Sequence, residues 1–220
     1  MSLLQRFVAH AQDKSVVTFD IFDTLIERNC LVPSDLFYRV GLALFKGNSD
    51  MAHEFQRCRE AAEVELRAAA PNAEVSLADI YALLSQRMGT SLSPDAECAE
   101  EIKACAIKKK VEPLFRWAVQ HKRVALVSDM YLPSGFISQL LTNCGLSGHE
   151  QLFVSCECGC GKRSGKLFNQ VLEHYNLRPA QVLHVGDSWG ADVRGAQRAG
   201  IDSFFVLRRN FIRRFIMERI

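Results

Sequence analysis

Apolar positions follow two regimes along the chain. Five short runs, Val16-Val17-Thr18-Phe19, Val124-Ala125-Leu126-Val127, Leu152-Phe153-Val154, Val182-Leu183-His184-Val185 and Phe204-Phe205-Val206-Leu207, are nearly continuous and rich in β-branched and aromatic residues. Continuous rather than alternating hydrophobicity predicts strands of a parallel sheet covered on both faces. Between the first and second runs the spacing changes. Pro33-Ser34-Asp35, Ser76 with Asp79 three residues on, and Ser93-Pro94 are helix-start signals, and Phe55, Cys58, Ala62 and Leu66 recur at helical intervals. Residues 28–110 therefore read as an all-helical insert, and 1–27 with 111–220 as one core. Within that core, helices over 113–121, 133–144, 165–175 and 191–199 alternate with the strands, which predicts a doubly wound α/β fold. Internal repeats and low-complexity stretches are absent.

Composition narrows the class. The chain has 220 residues, 48% hydrophobic and 24% charged, as in globular domains and unlike disordered or collagen-like chains. Lys plus Arg total 27 and Asp plus Glu 25, so the formal charge is +2 and no global basic field points to nucleic acid. No apolar run approaches the roughly 20 residues that span a bilayer. Arg6, His10, Gln12, Asp13 and Lys14 interrupt the N-terminal stretch, which is expected not to act as a secretory signal because it lacks the continuous apolar block and small-residue cleavage site of one. Eight cysteines at scattered positions then read as reduced thiols and the expected compartment is the cytoplasm.

The chemistry is concentrated where strands end. The first run leads into Asp20-Ile21-Phe22-Asp23-Thr24-Leu25, and the fourth into Gly186-Asp187-Ser188-Trp189-Gly190-Ala191-Asp192. Open α/β sheets bind ligands at the carboxyl ends of their strands, so Asp20, Asp187 and Asp192 are expected on one rim. Three carboxylates there repel unless a cation sits among them, and hard oxygen donors suit Mg²⁺. Ser128, followed by Asp129 and Met130, closes the second run with a hydroxyl and free backbone N–H groups suited to phosphate oxygens. Lys162-Arg163-Ser164-Gly165-Lys166 supplies positive charge before a helix. A carboxylate nucleophile, Mg²⁺, a hydroxyl and a lysine are the parts of phosphoryl transfer through an aspartyl-phosphate.

FDIFDTL, VALVS, KRSGKLF and GDSWGADVRGAQRAGI, in that order, resemble the four motifs of the haloacid dehalogenase (HAD) superfamily of phosphohydrolases, and the resemblance covers essentially the whole chain. It implies a Rossmann-like core with an inserted helical (C1-type) cap and an Mg²⁺-dependent hydrolase acting on a small phosphorylated metabolite. It further implies Asp20 as nucleophile, and Ser128, Asp129, Lys162 and Lys166 as phosphate or substrate ligands. Lys162, six residues before Phe168, has the spacing of the family's lysine, with Lys166 as fallback. Asp20, Asp187, Asp192 and the Phe22 carbonyl would hold Mg²⁺.

Phe22 departs from the family pattern. Phosphatases of the superfamily carry there a second Asp that protonates the leaving oxygen and then activates water. Losing a general acid–base costs about 10²–10⁴-fold. Asp23 is the candidate substitute; the other reading makes it a turn-stabilising Asp. Dehalogenases also lack the second Asp but need no Mg²⁺, so Asp187 and Asp192 argue against carbon–halogen cleavage. Carbon–phosphorus cleavage needs a cap lysine, and Lys46, Lys103 and Lys108–Lys110 have no recognisable context. The FDIFDTL and SDMYLP wording resembles a bacterial subgroup found with glycosyltransferases. That implies a sugar phosphate as substrate, and a glycosyltransferase partner or adjoining domain. The alternative reading is a weakly active phospho-ligand-binding module supporting such a partner.

Other features read as structural. Cys156, Cys158 and Cys160 lack the paired spacing of a zinc site, even with Cys144 and His149 nearby. His184 reads as a satisfied core histidine, Trp189 as shaping the pocket mouth or packing under the insert, and Lys108–Lys110 as a solvated helix end. The basic amphipathic tail, 208–220, with Phe211, Ile212, Phe215 and Ile216 on one face, reads as packing on the core or leading into another domain, or as docking to a membrane surface or partner.

Overall fold

A computed structural model describes residues 1–30, 32–69 and 73–207; the tail at 208–220 lies outside them. Five parallel strands form the central sheet in the order β5-β4-β1-β6-β7: β1 (Val16–Phe19), β4 (Arg123–Ser128), β5 (Gln151–Val154), β6 (Val182–Gly186) and β7 (Asp202–Phe205). From central β1 the chain steps outward through β4 to β5, then returns to the other side of β1 for β6 and β7. The carboxyl ends of β4, β1 and β6 thus adjoin at the reversal of winding, where such sheets open a crevice.

Strands β1, β4, β5 and β6 divide their apolar residues between two layers. Val17 and Phe19 join Phe7 and Ala11 of α1 (Leu3–Ala11), Leu114, Phe115 and Ala118 of α6 (Glu112–His121), and Ile137, Leu140 and Leu141 of α7 (Ser134–Asn143). On the opposite face Val16, Ala125, Val127 and Val182 pack on Leu167, Phe168, Val171 and Tyr175 of α9 (Lys166–Tyr175) and Ala196 of α10 (Arg194–Arg198). The seventh strand begins two residues earlier than its apolar run, because the edge position leaves Asp202 exposed beside Lys14.

Between β1 and β4 lie α2 (Asp35–Leu44), α3 (Ser49–Ala69), α4 (Leu77–Met88) and α5 (Asp95–Ala104). The Ser76/Asp79 pair forms the reciprocal capping box its sequence predicts. Ser34 makes no such cap; Asp35 instead accepts the Val32 N–H at 3.2 Å. The segment is not wholly helical. β2 (Ile26–Arg28) pairs antiparallel with β3 (Cys105–Ile107), closing the helical segment at its base with a ribbon too short to leave a sequence period.

Buried charge ties the helices together. Arg59 of α3, with no exposed surface, meets Glu97 of α5 through two 2.8 Å bonds and lies 4.4 Å from the Phe37 ring and 4.8 Å from the Tyr131 ring. Arg59 Nη1 also meets Glu63 of its own helix at 3.0 Å, so losing Glu97 removes the fully buried partner and leaves the less buried one. Glu97→Ala is expected to lower unfolding stability by about 3 kcal/mol in urea titration, the low end for a broken buried pair, whereas Arg59→Met/Glu97→Leu recovers most of it.

Candidate active site

Asp20 follows β1, Asp187 follows β6, and Asp192 lies in the π-helical turn Trp189–Val193. The three are buried, and one carboxylate oxygen from each lies within 4.8 Å of the others. The 3₁₀ turn Lys162–Ser164 carries the Lys162 side chain between them, its Nζ donating to Asp20 Oδ1 and to Asp192 Oδ1, both at 2.6 Å. Residues from three separate stretches therefore meet on one rim, as their strand-end positions predict.

Two glycines permit this closeness. A Cβ on Gly186 would sit 2.3 Å from Asp192 Cγ, and one on Gly195 would sit 2.3 Å from the Lys162 carbonyl oxygen. Asp192 anchors the loop: Oδ2 accepts the N–H groups of Asp187 at 3.0 Å and Ser188 at 2.8 Å. Its Oδ1 also receives His184 Nε2 at 3.1 Å. A carboxylate only accepts, so Nε2 carries the His184 proton and Nδ1 accepts the Thr18 hydroxyl at 2.8 Å. His184 is thus the satisfied core histidine its strand position suggests, and it also fixes Asp192.

The electrostatics are those of a site short of positive charge. Burial raises the Asp20 carboxyl to about 8, with Asp192 and Asp187 adding to the rise and the Lys162 ammonium opposing it. Asp192 moves down instead, because Lys162 and His184 outweigh its desolvation. Burial alone would lower Lys162, but Asp192 and Asp20 hold it above the ordinary lysine value. Three carboxylates facing one ammonium leave room for a divalent cation. All-oxygen donors within mutual reach of one ion fit Mg²⁺.

The remaining predicted residues divide. Ser128 closes β4, buried, with no hydrogen-bond partner for its hydroxyl among the described residues. Asp129 Oδ1 accepts the Lys162 N–H at 2.7 Å, supporting the turn that carries Lys162. Lys166, exposed at the start of α9, is not brought to the carboxylates. Asp23 has φ 63°, the left-handed region that Asp tolerates better than most residues, and donates its N–H to the Ile26 carbonyl at 2.8 Å. The Phe22 ring lies against the Arg28 guanidinium at 4.5 Å.

Lys108 was hidden by the run containing it. Rather than a solvated helix end, it is 4% exposed, donating through Nζ to the carbonyls of Asp23 at 2.5 Å and Leu207 at 3.1 Å. Burial lowers its pKa against the pull of Asp187, Asp23 and Glu27. Trp189 does not pack under the helical segment; it is 57% exposed, edge-on to Phe205. All eight cysteines are free, and among the described residues Cys156, Cys158 and Cys160 form no metal-ligating group.

The model of the haloacid dehalogenase-like hydrolase family matches residues 14–200. The chain belongs to this family. Over 71 residues it is 35% identical to haloacid dehalogenase-like hydrolase domain-containing protein 3 of Mus musculus, and over 69 residues 38% identical to the phosphoserine phosphatase of Thermus thermophilus. These stretches are 32% and 31% of this chain and span 28% of each relative's length. The fold is shared with a HAD family enzyme of Bacteroides thetaiotaomicron, whose structure contains magnesium and inorganic phosphate. The TM-score is 0.61 at 16% identity, covering 89% of this chain and 96% of that one. Among the described residues no helix is long and apolar enough to cross a membrane.

Magnesium at about 100 times its Kd should stabilise the fold by about 2.7 kcal/mol, raising the thermal midpoint by several degrees. Asp187→Asn should abolish that shift in a thermal melt. At Cys156, burial and Glu157 push the thiol up to about 11, so its alkylation by iodoacetamide should be slow at neutral pH. Followed by mass spectrometry, the rate should climb about tenfold per pH unit until that value is approached.

Proposed function

We propose that the chain is an Mg²⁺-dependent phosphohydrolase acting on a small phosphorylated metabolite, foremost a sugar phosphate. The observation that carries this reading is the Lys162 ammonium held between Asp20 and Asp192 at 2.6 Å from each, with Asp187 in the same cluster. Asp20, Asp187 and Asp192, with the Phe22 carbonyl, would hold Mg²⁺, and Asp192, accepting from four donors, also fixes the frame. When bound, the ion supplies positive charge to the carboxylates and the phosphate oxygens.

An Asp20 oxygen attacks phosphorus, forming the aspartyl-phosphate as the ester P–O bond breaks and the leaving oxygen takes a proton. Water then attacks phosphorus, the acyl-phosphate P–O bond breaks, and Asp20 is regenerated with release of inorganic phosphate. Lys162 balances the negative charge that grows on the phosphoryl oxygens, and the Ser128 hydroxyl donates to one of them. Asp23, the titratable residue of the turn Ile21-Phe22-Asp23-Thr24, is assigned the proton transfers in place of Phe22. Residues 28–110 act as a cap that excludes bulk water, on a core formed by 1–27 and 111–220.

Steady-state assays with Mg²⁺ and both aryl and sugar phosphates test this reading. Asp20→Asn should abolish turnover, and acid quenching should trap phosphate on the wild-type chain but not on the variant. Phosphate binding without Asp20-dependent turnover would instead favour a phospho-ligand module, to which the loss of an acid at Phe22 lends its support. Asp23→Asn should slow a sugar phosphate by about 10²-fold or more and an aryl phosphate with a stable leaving group far less. Equal losses would return Asp23 to a turn-forming role.

A further inference from the structure

Arg28 ends β2, where the chain leaves the core for the helical segment. Glu101 of α5 grips it: Nε lies 3.1 and 2.9 Å from the two carboxylate oxygens, and Nη2 lies 2.7 Å from Oε1. The guanidinium plane rests 4.5 Å from the ring of Phe22, two residues beyond Asp20. Arg28 is thus held between α5 and the loop that carries Asp20.

One arm of the fork is left over. Nη1 has no hydrogen-bond partner among the described residues, although the side chain is only 10% exposed. Nor is Nη1 sealed away, since among the described residues the partnerless buried side-chain atoms are Tyr81 Oη, His149 Nδ1 and Tyr175 Oη. A clamped guanidinium with one free arm beside the nucleophile loop is a preorganised donor: its rotamer is fixed before any ligand arrives.

Charge then decides what it can receive. Glu101 neutralises Arg28, and Glu97 with Glu63 more than neutralises Arg59. At the rim, Asp20, Asp129, Asp187 and Asp192 face the two ammonium groups of Lys162 and Lys108, a deficit that one divalent cation cancels. A second anionic group on the substrate would therefore meet no surplus positive charge, whereas an uncharged oxygen accepts from Nη1 at no such cost. Resting on the phosphohydrolase reading above, we propose that Arg28 is a specificity residue that donates through Nη1 to a neutral hydroxyl or ring oxygen of the leaving group. The preferred esters are then phosphates of sugars or polyols rather than of carboxylate-bearing alcohols. Phe22, in giving up the acid, supplies the aromatic platform on which this donor is set.

The test is equilibrium binding by calorimetry in the Asp20→Asn background with Mg²⁺, using glucose 6-phosphate, phosphoserine and inorganic phosphate. Arg28→Lys keeps the charge and loses the fork. It should weaken glucose 6-phosphate by about tenfold or more and inorganic phosphate by threefold at most. Phe22→Leu removes the platform and should act in the same direction, a second readout should Arg28→Lys fail to melt cooperatively. Equal weakening of both ligands would overturn the inference, as would selective loss of phosphoserine, or a parent that binds glucose 6-phosphate no better than phosphate. Failure of the catalytic reading shows separately, as absence of Asp20-dependent turnover in the unmodified chain.

Discussion

The ammonium of Lys162 is the charge around which the molecule is arranged. Burying three carboxylates on one rim is prohibitively unfavourable without compensation, and buried like charges at a few ångströms interact far more strongly than in water. Lys162 meets two of them directly, and the backbone is shaped to bring it there. Gly195 admits the Lys162 carbonyl, Gly186 admits Asp192, and Asp129 supports the turn from beneath. The compensation is incomplete, which is why Asp20 is pushed toward its neutral form. A fold stabilised for its own sake would pair these charges or omit them. Leaving a cluster one divalent cation short is how a site remains ready to bind one.

The helical segment is joined to that rim through arginines rather than through apolar contact alone. Arg28 lies on Phe22 and Arg59 on Tyr131, and each is held by a glutamate from α5. Such pairs gain little net stability over well-packed apolar groups, but they fix geometry, because a planar guanidinium gripped bidentately has one orientation. Lys108 adds a third tie where the chain re-enters the core, joining the Asp23 turn to the end of the described chain at Leu207. The two loops that present Asp20 and Ser128 are consequently positioned from above as well as by their strands.

What could be read from residues alone follows from range of interaction. Continuous apolar runs and strand-end carboxylates are local signals whose meaning the sheet fixes, so the five parallel strands and the meeting of Asp20, Asp187, Asp192 and Lys162 were legible. The β2–β3 ribbon was not: each strand has three residues, and its pairing spans about eighty residues of chain. Arg28, Arg59, Glu97 and Glu101 carried no signal in the sequence, because nothing local distinguishes a buried ion pair from a solvated one. Lys108 was masked by its neighbours, since burial within a run of three lysines depends on where the ribbon ends rather than on composition. Lys166 is the converse case: it shares the charge and the vicinity of Lys162, but it takes the exposed position at the start of α9, while Leu167 and Phe168 beside it turn into the core.

Phe22 and Asp23 together show how one turn can exchange one constraint for another. At φ 63° the Asp23 position favours residues that tolerate a left-handed backbone, and Asp qualifies while Phe would not. With the carboxylate at Asp23, the preceding side chain is free to be large and apolar, and its ring meets a guanidinium that is itself fixed by Glu101. An acid at residue 22 would instead face that same guanidinium, and an ion pair between them would hold its pKa down and its proton off. An acid–base group and an Arg28 clamp therefore compete for this position. The aromatic ring resolves the competition in favour of the clamp.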